Sequence, residues 1–533
     1  MKKVWMLALI ALSVISCQKG EQASKELPPS RFSVNPNEPS YKLQDTEATI
    51  VWYVNFPWFG ERKGEDYASH KIKLDTKTTL HLISGDDDRL NQMIAAGQLP
   101  DIITLDKINF AVQDAHRWAV PLNQLADAYD PYFYQVAKPD SLAWYTNDAG
   151  DVYGYPSMSN SYADFTDPDS QMVGEHGFLV RRDIYSAIGS PSMRTPEGFL
   201  QALRDAKALQ PNIVPLAIYR LRDGGAAVDA IMNFLAIPQI KDGAYHERLF
   251  DEEYLIWLDV LRQAYQEGLI IDDNFAYVED DFVDGLNQGR FFSLLTTALP
   301  AMSAPIARNA QRNPNQSYIA IDGPANRNMD DPAFFTEQTG ISGWTLTMVT
   351  QHAKDKERAI QLITYLLSPE GHFTTTLGVE GESYYRDEAG VYRFTEEYAT
   401  WRAEDIDGFT RETQLGEFWM IADPSFKLRY TDTQMPEMKQ IFGWTQGKFR
   451  PEFAIEMSDP DPRSAEARTM KAYQENHRID TIVRMIRSPS KEAMLQELEA
   501  LKVVYQSADI QRAFAVKNEK IQANLAKLAR FGY

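Results

Sequence analysis

The stretch that most constrains the fold runs from residue 91 to residue 106 and has the sequence NQMIAAGQLPDIITLD. Its first half has the apolar spacing of a helix face. Gly97 and Pro100 then end that helix, because Gly accepts the left-handed conformation and Pro cannot continue a helix. The mostly apolar run 102–105 predicts a strand buried on both faces of a parallel sheet. Ligands of open α/β sheets bind beyond the carboxyl ends of the strands, so Asp106 is expected to face a cleft.

The N-terminus has the pattern of an export signal. Residues 1–16 carry two lysines and then an apolar run too short to span a bilayer. The following Val-Ile-Ser-Cys ends at Cys17 and resembles the lipobox of bacterial lipoproteins, in which the cysteine is acylated; the alternative is an ordinary secretory signal with a chance cysteine. Cys17 is the only cysteine, which excludes intramolecular disulfides. Residues 17–45 contain four prolines and are predicted to form a lipid-anchored tether.

Length and charge exclude several classes. At 533 residues the chain is too long for a single core, so two or more domains are expected. Its formal net charge of −21 argues against nucleic acid and against an anionic membrane surface as partners. The sequence contains no Gly-x-Ser-x-Gly, no His-Glu-x-x-His and no phosphate-binding loop. Asp86, Asp87 and Asp88 are interpreted as the acidic first turn of a helix rather than as a metal site.

A family resemblance rests on several motifs that occur in one order. The pattern Asn-x-Met-x-Ala-x-Gly-x-Leu-Pro-Asp-Ile-Ile in the first stretch resembles a signature of the large extracellular solute-binding proteins of bacterial ABC importers. Four later segments are similar to segments of the same family: DVYGYP at 151–156, YQEGLI at 265–270, QGRF at 288–291 and GVEGESY at 378–384. The resemblance covers roughly residues 50–390.

The resemblance implies a fold and a function. The fold is α/β, the two-lobe periplasmic-binding-protein-like fold with a hinge and an interlobe cleft. Lobe 1 is expected to hold 46–156 and 322–374, and lobe 2 to hold 157–321 and 375–533. The implied function is capture of a small solute, with an oligosaccharide favoured, and its delivery to an ABC transporter permease. The alternatives are a secreted lipid-anchored carbohydrate-active enzyme and a ligand sensor for a signalling partner.

The signal and the lipobox together predict a protein that is exported and anchored to the bacterial membrane. The family resemblance implies a monomer that has no enzymatic activity and needs no cofactor. Some relatives that bind acidic sugars carry calcium, so the resemblance allows a calcium ion without locating it.

The ligand contacts are expected to be aromatic and polar side chains on loops at strand ends. Sugar rings have apolar faces, which flat rings cover, and hydroxyl edges, which polar groups bind. These criteria select Trp58, Phe59, Asp106, Tyr155, Tyr219, Arg220, Trp344, Tyr384, Trp419 and Trp444.

These contacts are expected to come from both lobes. Trp58 follows the first predicted strand. If the strand after Trp344 runs the opposite way, Trp58, Asp106 and Trp344 reach the same sheet edge. Tyr155 is expected on the cleft floor. Tyr384, Trp419 or Trp444 are expected to come from lobe 2; for every aromatic residue, core packing is the alternative.

Overall fold

The computed structural model describes residues 27–166, 174, 176–221, 226–297, 299, 301–328, 334–336, 340–423, 436–530 and 532. The predicted signal 1–16 and the predicted lipidation site Cys17 lie outside the described residues. Among the helices in these ranges, none combines the length and the apolar character that a membrane crossing requires.

The strands alternate with helices along the chain. The strands are β1 (Ala48–Val54), β2 (Thr78–Ser84), β3 (Ile102–Asp106), β4 (Ala119–Val120), β5 (Tyr155–Pro156), β6 (Gly177–Arg181), β7 (Val214–Ile218), β8 (Ile240–Lys241), β9 (Ala244–Tyr245), β10 (Phe291–Thr296), β11 (Tyr318–Ala320), β12 (Phe334–Thr336), β13 (Thr345–Thr350), β14 (Tyr384–Arg386), β15 (Tyr392–Phe394) and β16 (Phe449–Pro451).

The helices surround the sheets and make up most of the C-terminal part. They are α1 (Tyr67–Thr76), α2 (Asp87–Ala96), α3 (Phe110–Gln113), α4 (Leu122–Tyr129), α5 (Phe133–Val136), α6 (Pro139–Tyr145), α7 (Tyr162–Thr166), α8 (Arg182–Ala187), α9 (Pro196–Leu209), α10 (Ala226–Phe234), α11 (Glu252–Gln266), α12 (Glu279–Asn287), α13 (Ser303–Arg312), α14 (Lys356–Leu367), α15 (Pro369–Thr376), α16 (Glu396–Glu404), α17 (Ile406–Thr413), α18 (Pro436–Thr445), α19 (Ala465–Tyr473), α20 (Ile479–Arg487), α21 (Lys491–Tyr505) and α22 (Ala508–Ala529).

The first stretch folds as its sequence predicts. Helix α2 ends at Gly97, which has a left-handed φ of 63°, and the strand β3 follows with residues 102–105 all buried. Asp86 is the N-cap of α2 and accepts a hydrogen bond from the backbone N–H of Arg89. The interpretation of the three aspartates as a helix start is therefore confirmed.

The first sheet has the strand order β2-β1-β3-β13-β4, and β5 pairs with β13. Strands β1, β2 and β3 are parallel, whereas β13 runs antiparallel to β3 with Thr345 opposite Asp106. The reversed direction of β13 brings Trp344, just before it, to the edge where β1, β2 and β3 end. We call this edge the carboxyl edge of the first sheet.

The second sheet has the order β11-β6-β10-β7. Strands β7 and β10 are parallel, and β6 runs antiparallel to both β10 and β11. Strands β7, β10 and β11 therefore share one direction, and they end at the edge where β6 begins. We call this the carboxyl edge of the second sheet. The chain leaves the first carboxyl edge after β5 and reaches the second at the start of β6, and it leaves the second after β11 and reaches the first again at the start of β13.

Each sheet has its own hydrophobic cores. Trp52 and Ile360 lie in a core of the first sheet, and Phe178 and Trp257 lie in a core of the second. The helices α19 to α22 pack against the second core through side chains that include Phe514.

The segment 375–421 packs differently from the prediction, which assigned it to lobe 2. Phe409, Trp419 and Met420 lie in the same core as Trp52, and the Thr347 hydroxyl on β13 donates to the Met420 carbonyl at 2.9 Å. The family resemblance ends near residue 390, and beyond it the sequence predicts helices without indicating which core they bury against.

The described part of the predicted tether also packs against the first sheet's helices. The Ser30 hydroxyl donates to Glu357 at 2.7 Å, and Tyr41 is buried with its ring edge-on to Tyr365 at 5.1 Å. Residues 27–45 therefore cover α14 instead of extending freely, because Leu27 and Tyr41 gain apolar burial there.

Candidate functional site

Five aromatic side chains meet at the carboxyl edge of the first sheet, and we call them the aromatic patch. They are Phe56, Trp58, Phe59, Trp344 and Trp419. Four of them, Trp58, Phe59, Trp344 and Trp419, were predicted from the sequence to meet the ligand and lie in contact here. The structure thus brings Trp58 and Trp344 together, although they are far apart in sequence.

The loop after β1 places one aromatic ring outward and one inward. Pro57 starts a short 3-10 turn over Pro57–Phe59, and Gly60 ends it with a φ of 75° that a side chain would strain. As a result Phe59 is buried, whereas Trp58 is 63% exposed. An exposed tryptophan held against a wall of rings marks a surface suited to binding.

Trp419 lies at the centre of the patch. Its ring stacks on Trp344 with centroids 4.7 Å apart at 29°, and Trp58 lies 5.3 Å away on a tilt of 32°. Trp419 is only 8% exposed, and its Nε1–H is buried without an acceptor among the described residues. One face of Trp58 is therefore covered by protein, and its remaining surface is open.

A second group at the same edge consists of Asn55, Asp87 and Asn109, and we call it the polar cluster. The Nδ2 groups of Asn55 and Asn109 both donate to Asp87 Oδ1 at 2.7 Å. The Tyr53 hydroxyl donates to Asn55 Oδ1 at 2.9 Å, which orients that amide. The three residues follow β1, β2 and β3, so Asp87 ties together the loops at the ends of three parallel strands.

The ligand prediction missed Asn55, Phe56, Asp87 and Asn109. The same rule that selected Asp106, a polar side chain just after a predicted buried strand, also applies to Asn55. Asp87 was interpreted only as a helix start, and the structure shows that it is also the acceptor that joins two loops.

Asp106 lies at the edge as predicted, next to a buried network. Its Oδ1 accepts from the backbone N–H of Ile108 at 3.0 Å, and the backbone N–H of Lys107 donates to the Trp344 carbonyl at 3.1 Å. The Lys107 ammonium donates to the Gly343 carbonyl and to the Ser342 hydroxyl. Burial lowers the pKa of Lys107.

Glu456 completes that network. Its carboxylate accepts from the backbone N–H groups of Ile341 at 3.1 Å and Ser342 at 2.9 Å. Complete burial raises the pKa of Glu456, although Lys107 and Ser342 act in the opposite direction. These contacts fix the chain just before Trp344.

Besides Phe59 and Trp419, which are buried within the aromatic patch, three predicted ligand residues are core residues away from it. Tyr155 is 4% exposed, its hydroxyl accepts from the backbone N–H of Lys138 at 3.0 Å, and burial raises its pKa to about 12. Tyr219 is buried against Phe282, and Tyr384 is buried against Phe373 with stacked rings. Their rings are covered by protein, so the expectation that they line the pocket is corrected to core packing.

The two remaining predicted ligand residues, Trp444 and Arg220, lie at the carboxyl edge of the second sheet. Trp444 donates from Nε1 to Asp322 at 2.9 Å, and Lys448 donates to the same carboxylate oxygen at 2.8 Å. Partial burial alone would raise the pKa of Asp322, but these two hydrogen bonds and the positive charges of Lys448 and Arg194 outweigh it, and the pKa is lowered. Half-buried Arg220 directly follows Tyr219 at the end of β7 and has a φ of 50°.

An open groove of about 790 Å³ lies elsewhere. Its lining residues are mostly acidic: Glu382, Thr395, Glu396, Glu397, Thr400, Trp401 and Glu404. None of the predicted ligand residues lines it. Within the described ranges, no group of three or more histidine, cysteine or acidic side chains could hold a metal ion.

Among the comparisons with known proteins, only the comparison with solved structures finds matches to this chain. No protein-family model and no curated protein matches the chain. An HMO-binding, ABC-transporter-associated solute-binding protein from Bifidobacterium longum infantis has a TM-score of 0.64 at 15% identity, over 89% of this chain and 98% of that one. The chain has the fold of ABC-transporter solute-binding proteins.

Two further structures with this solute-binding-protein fold extend the comparison. A Streptococcus pneumoniae ABC-transporter substrate-binding protein in complex with kestose has a TM-score of 0.62 at 12% identity, over 90% of this chain and all of that one. The alginate-binding protein AlgQ2, solved without calcium ion, has a TM-score of 0.60 at 15% identity, over 91% of this chain and all of that one. The α/β fold expected from the sequence is confirmed.

Proposed function

We propose that this protein is an extracellular solute-binding protein that captures an oligosaccharide and delivers it to the permease of an ABC transporter. The observation that carries the proposal is the aromatic patch at the carboxyl edge of the first sheet, in which the exposed Trp58 packs against the buried Trp419 and Trp419 stacks on the half-buried Trp344. Ligands of open α/β folds bind at such edges.

The patch has the chemistry that a sugar ring needs. The open surface of Trp58 can cover the apolar face of a ring, and the position of Trp58 is fixed by contacts with Trp419 and Phe56 at 5.3 and 5.6 Å. A side chain that is already held loses little rotamer freedom on binding, which favours affinity.

The second sheet supplies the opposite wall in this proposal. Both connections between the sheets, 157–176 and 321–344, join the two carboxyl edges, which supports a cleft between them that closes on a hinge. Trp444 and Asp322 would then face the patch across the ligand. The bound sugars named for the similar structures, among them kestose, support an oligosaccharide as the solute.

The proposal includes export and anchoring. Acylation at Cys17 would hold the protein on the outer side of the bacterial cell membrane, close to the permease, and the protein would act as a monomer. The similar structures are named as binding proteins, which supports capture without turnover. A calcium ion is not part of the proposed site, although one similar structure is described by its lack of calcium.

Thermal unfolding of the purified protein against a glycan library tests the proposal. A ligand at one hundred times its dissociation constant adds about 2.7 kcal/mol to the free energy of unfolding, which gives a clear rise in melting temperature. We expect stabilisation by at least one oligosaccharide and no release of cleaved product from it. Failure of every glycan to stabilise the protein would contradict capture of a sugar, and sustained multiple turnover would favour the enzyme alternative.

A further inference from the structure

The two groups at the carboxyl edge of the first sheet lie on opposite faces of that sheet. Trp52 and Val54 point into one core and Tyr53 points into the other. Side chains alternate along a strand, so Asn55 continues the face of Tyr53 and Phe56 continues the face of Trp52. The face of Tyr53 carries the polar cluster, and the face of Trp52 carries the aromatic patch.

The contacts of the two groups agree with this alternation. The Tyr53 hydroxyl is hydrogen-bonded to Asn55 in the polar cluster. Phe56, Trp344 and Trp419 pack with the core that contains Trp52. Side chains on the two faces of a sheet extend about 5 Å from its plane, since stacked sheets lie about 10 Å apart.

Asp87 is equipped to bind hydroxyl groups. Its Oδ1 is occupied by the amides of Asn55 and Asn109, while its Oδ2 has no hydrogen-bond donor among the described residues and the residue is exposed. The two amides hold the carboxylate in one orientation. Hydrogen bonds from hydroxyls to a carboxylate are stronger than those between neutral groups.

We propose that the first sheet provides two ligand subsites, one on each side of its carboxyl edge, and that the ligand spans both. One sugar unit stacks on Trp58, and a neighbouring unit donates hydroxyl hydrogen bonds to Asp87. Because the two groups extend from opposite faces of the sheet, we expect each to contact a different unit of a chain of linked rings. The captured solute is therefore an oligomer of at least two units with free hydroxyls at the second unit. This inference rests on the proposed function and adds to it the division of the site into two subsites and the role of Asp87.

Dissociation constants measured for glycans of increasing length test the inference. The probes are monosaccharides, disaccharides and tetrasaccharides of the gluco-, manno-, xylo- and fructo-series, used on the full-length protein and on Trp58→Ala, Asp87→Asn and the double variant. We expect each single variant to weaken binding of the best oligosaccharide at least tenfold. The two effects should multiply in the double variant, because separate subsites act independently. Monosaccharides should bind weakly and respond to at most one of the two changes.

Asp88→Asn is the matched control. Asp88 lies in the same first turn of α2, carries the same charge and makes no side-chain hydrogen bond within the described residues, so its replacement removes charge without removing a proposed contact. Asp87→Asn keeps an oxygen that can accept from Asn55 and Asn109, and equal melting temperatures of the two variants would show that the loops stay in place.

The possible outcomes distinguish the two-subsite inference from the proposed function. An equal effect of Asp87→Asn and Asp88→Asn overturns the two-subsite inference and leaves the proposed function standing. A monosaccharide that binds as tightly as its oligomers also overturns the inference and leaves capture of a sugar standing. Absence of binding by every glycan overturns both. Loss of oligosaccharide affinity in Asp87→Asn alone, together with a gain in affinity from one to two units, supports the inference.

Discussion

Replacing Trp58 with Ala removes the open surface of the aromatic patch, and its effect on binding can be worked out from the exposure of the side chain. A tryptophan side chain offers on the order of 250 Å², so at 63% exposure about 160 Å² remains accessible in the free protein. A sugar ring that covers half of this surface buries about 80 Å². At about 25 cal/mol per Å² this contributes about 2 kcal/mol.

A loss of about 2 kcal/mol corresponds to an increase of roughly thirtyfold in the dissociation constant. Isothermal titration calorimetry with the oligosaccharide that most stabilises the wild-type protein measures it directly. The part of Trp58 that is covered by Phe56 and Trp419 also contributes to folding, so we expect a fall in melting temperature of a few degrees.

Trp401→Ala is the control for the general effect of losing a tryptophan. Trp401 is half-buried, packs against Phe409 at 5.3 Å and lies in the acidic groove instead of at the carboxyl edge. This variant should lose stability without losing affinity. If Trp58→Ala bound the sugar as tightly as the wild type, or if Trp401→Ala lost the affinity instead, the assignment of the site to the aromatic patch would be refuted.

Three further predictions concern anchoring and stability. Cys17→Ser should move the protein from the detergent-soluble membrane fraction to the soluble fraction, and continued fractionation with membranes would rule out the lipoprotein interpretation. Burial lowers the pKa of His372 to about 4, whereas a histidine in the unfolded chain titrates near 6.5. The free energy of unfolding should therefore fall by up to about 3 kcal/mol as the pH drops from 6.5 to 4. Urea titrations of His372→Gln should show a smaller fall over the same pH range. Glu456→Ala leaves the buried Lys107 without its carboxylate and should cost about 3 kcal/mol in the same assay, and a cost below about 1 kcal/mol would show that the network is not stabilising.

Local chemistry made several features predictable from the sequence. Gly97 and Pro100 end α2 and lead into β3 because their backbone restrictions allow little else. Asp86 caps α2 because its carboxylate satisfies a backbone N–H that the helix leaves free. These are interactions between residues close in sequence, which a single chain displays directly.

Burial of the aromatic residues was less predictable. Trp58, Tyr155 and Tyr219 all lie at or just after the end of a strand, yet only the first is exposed. Whether such a ring is covered depends on other segments of the chain, such as α12, which places Phe282 beside Tyr219, and α5, which places Phe133 beside Tyr155. Tertiary packing therefore decided which of the predicted ligand residues remained available.

The position of Trp344 shows how a distant part of the chain contributes to the site. Pairing of β13 with β3 sets the direction of the strand, but the chain before it is held by Glu456, which accepts from Ile341 and Ser342, and by Lys107, which donates to Gly343. Buried polar groups whose hydrogen bonds are satisfied favour one arrangement, because any other leaves a charge without partners in a low dielectric. Glu456 precedes the C-terminal helices that pack on the second core, and Asn524 in α22 donates to its carbonyl at 2.8 Å. One wall of the aromatic patch is thus fixed by Glu456, which is hydrogen-bonded to a C-terminal helix that also packs on the core of the second sheet.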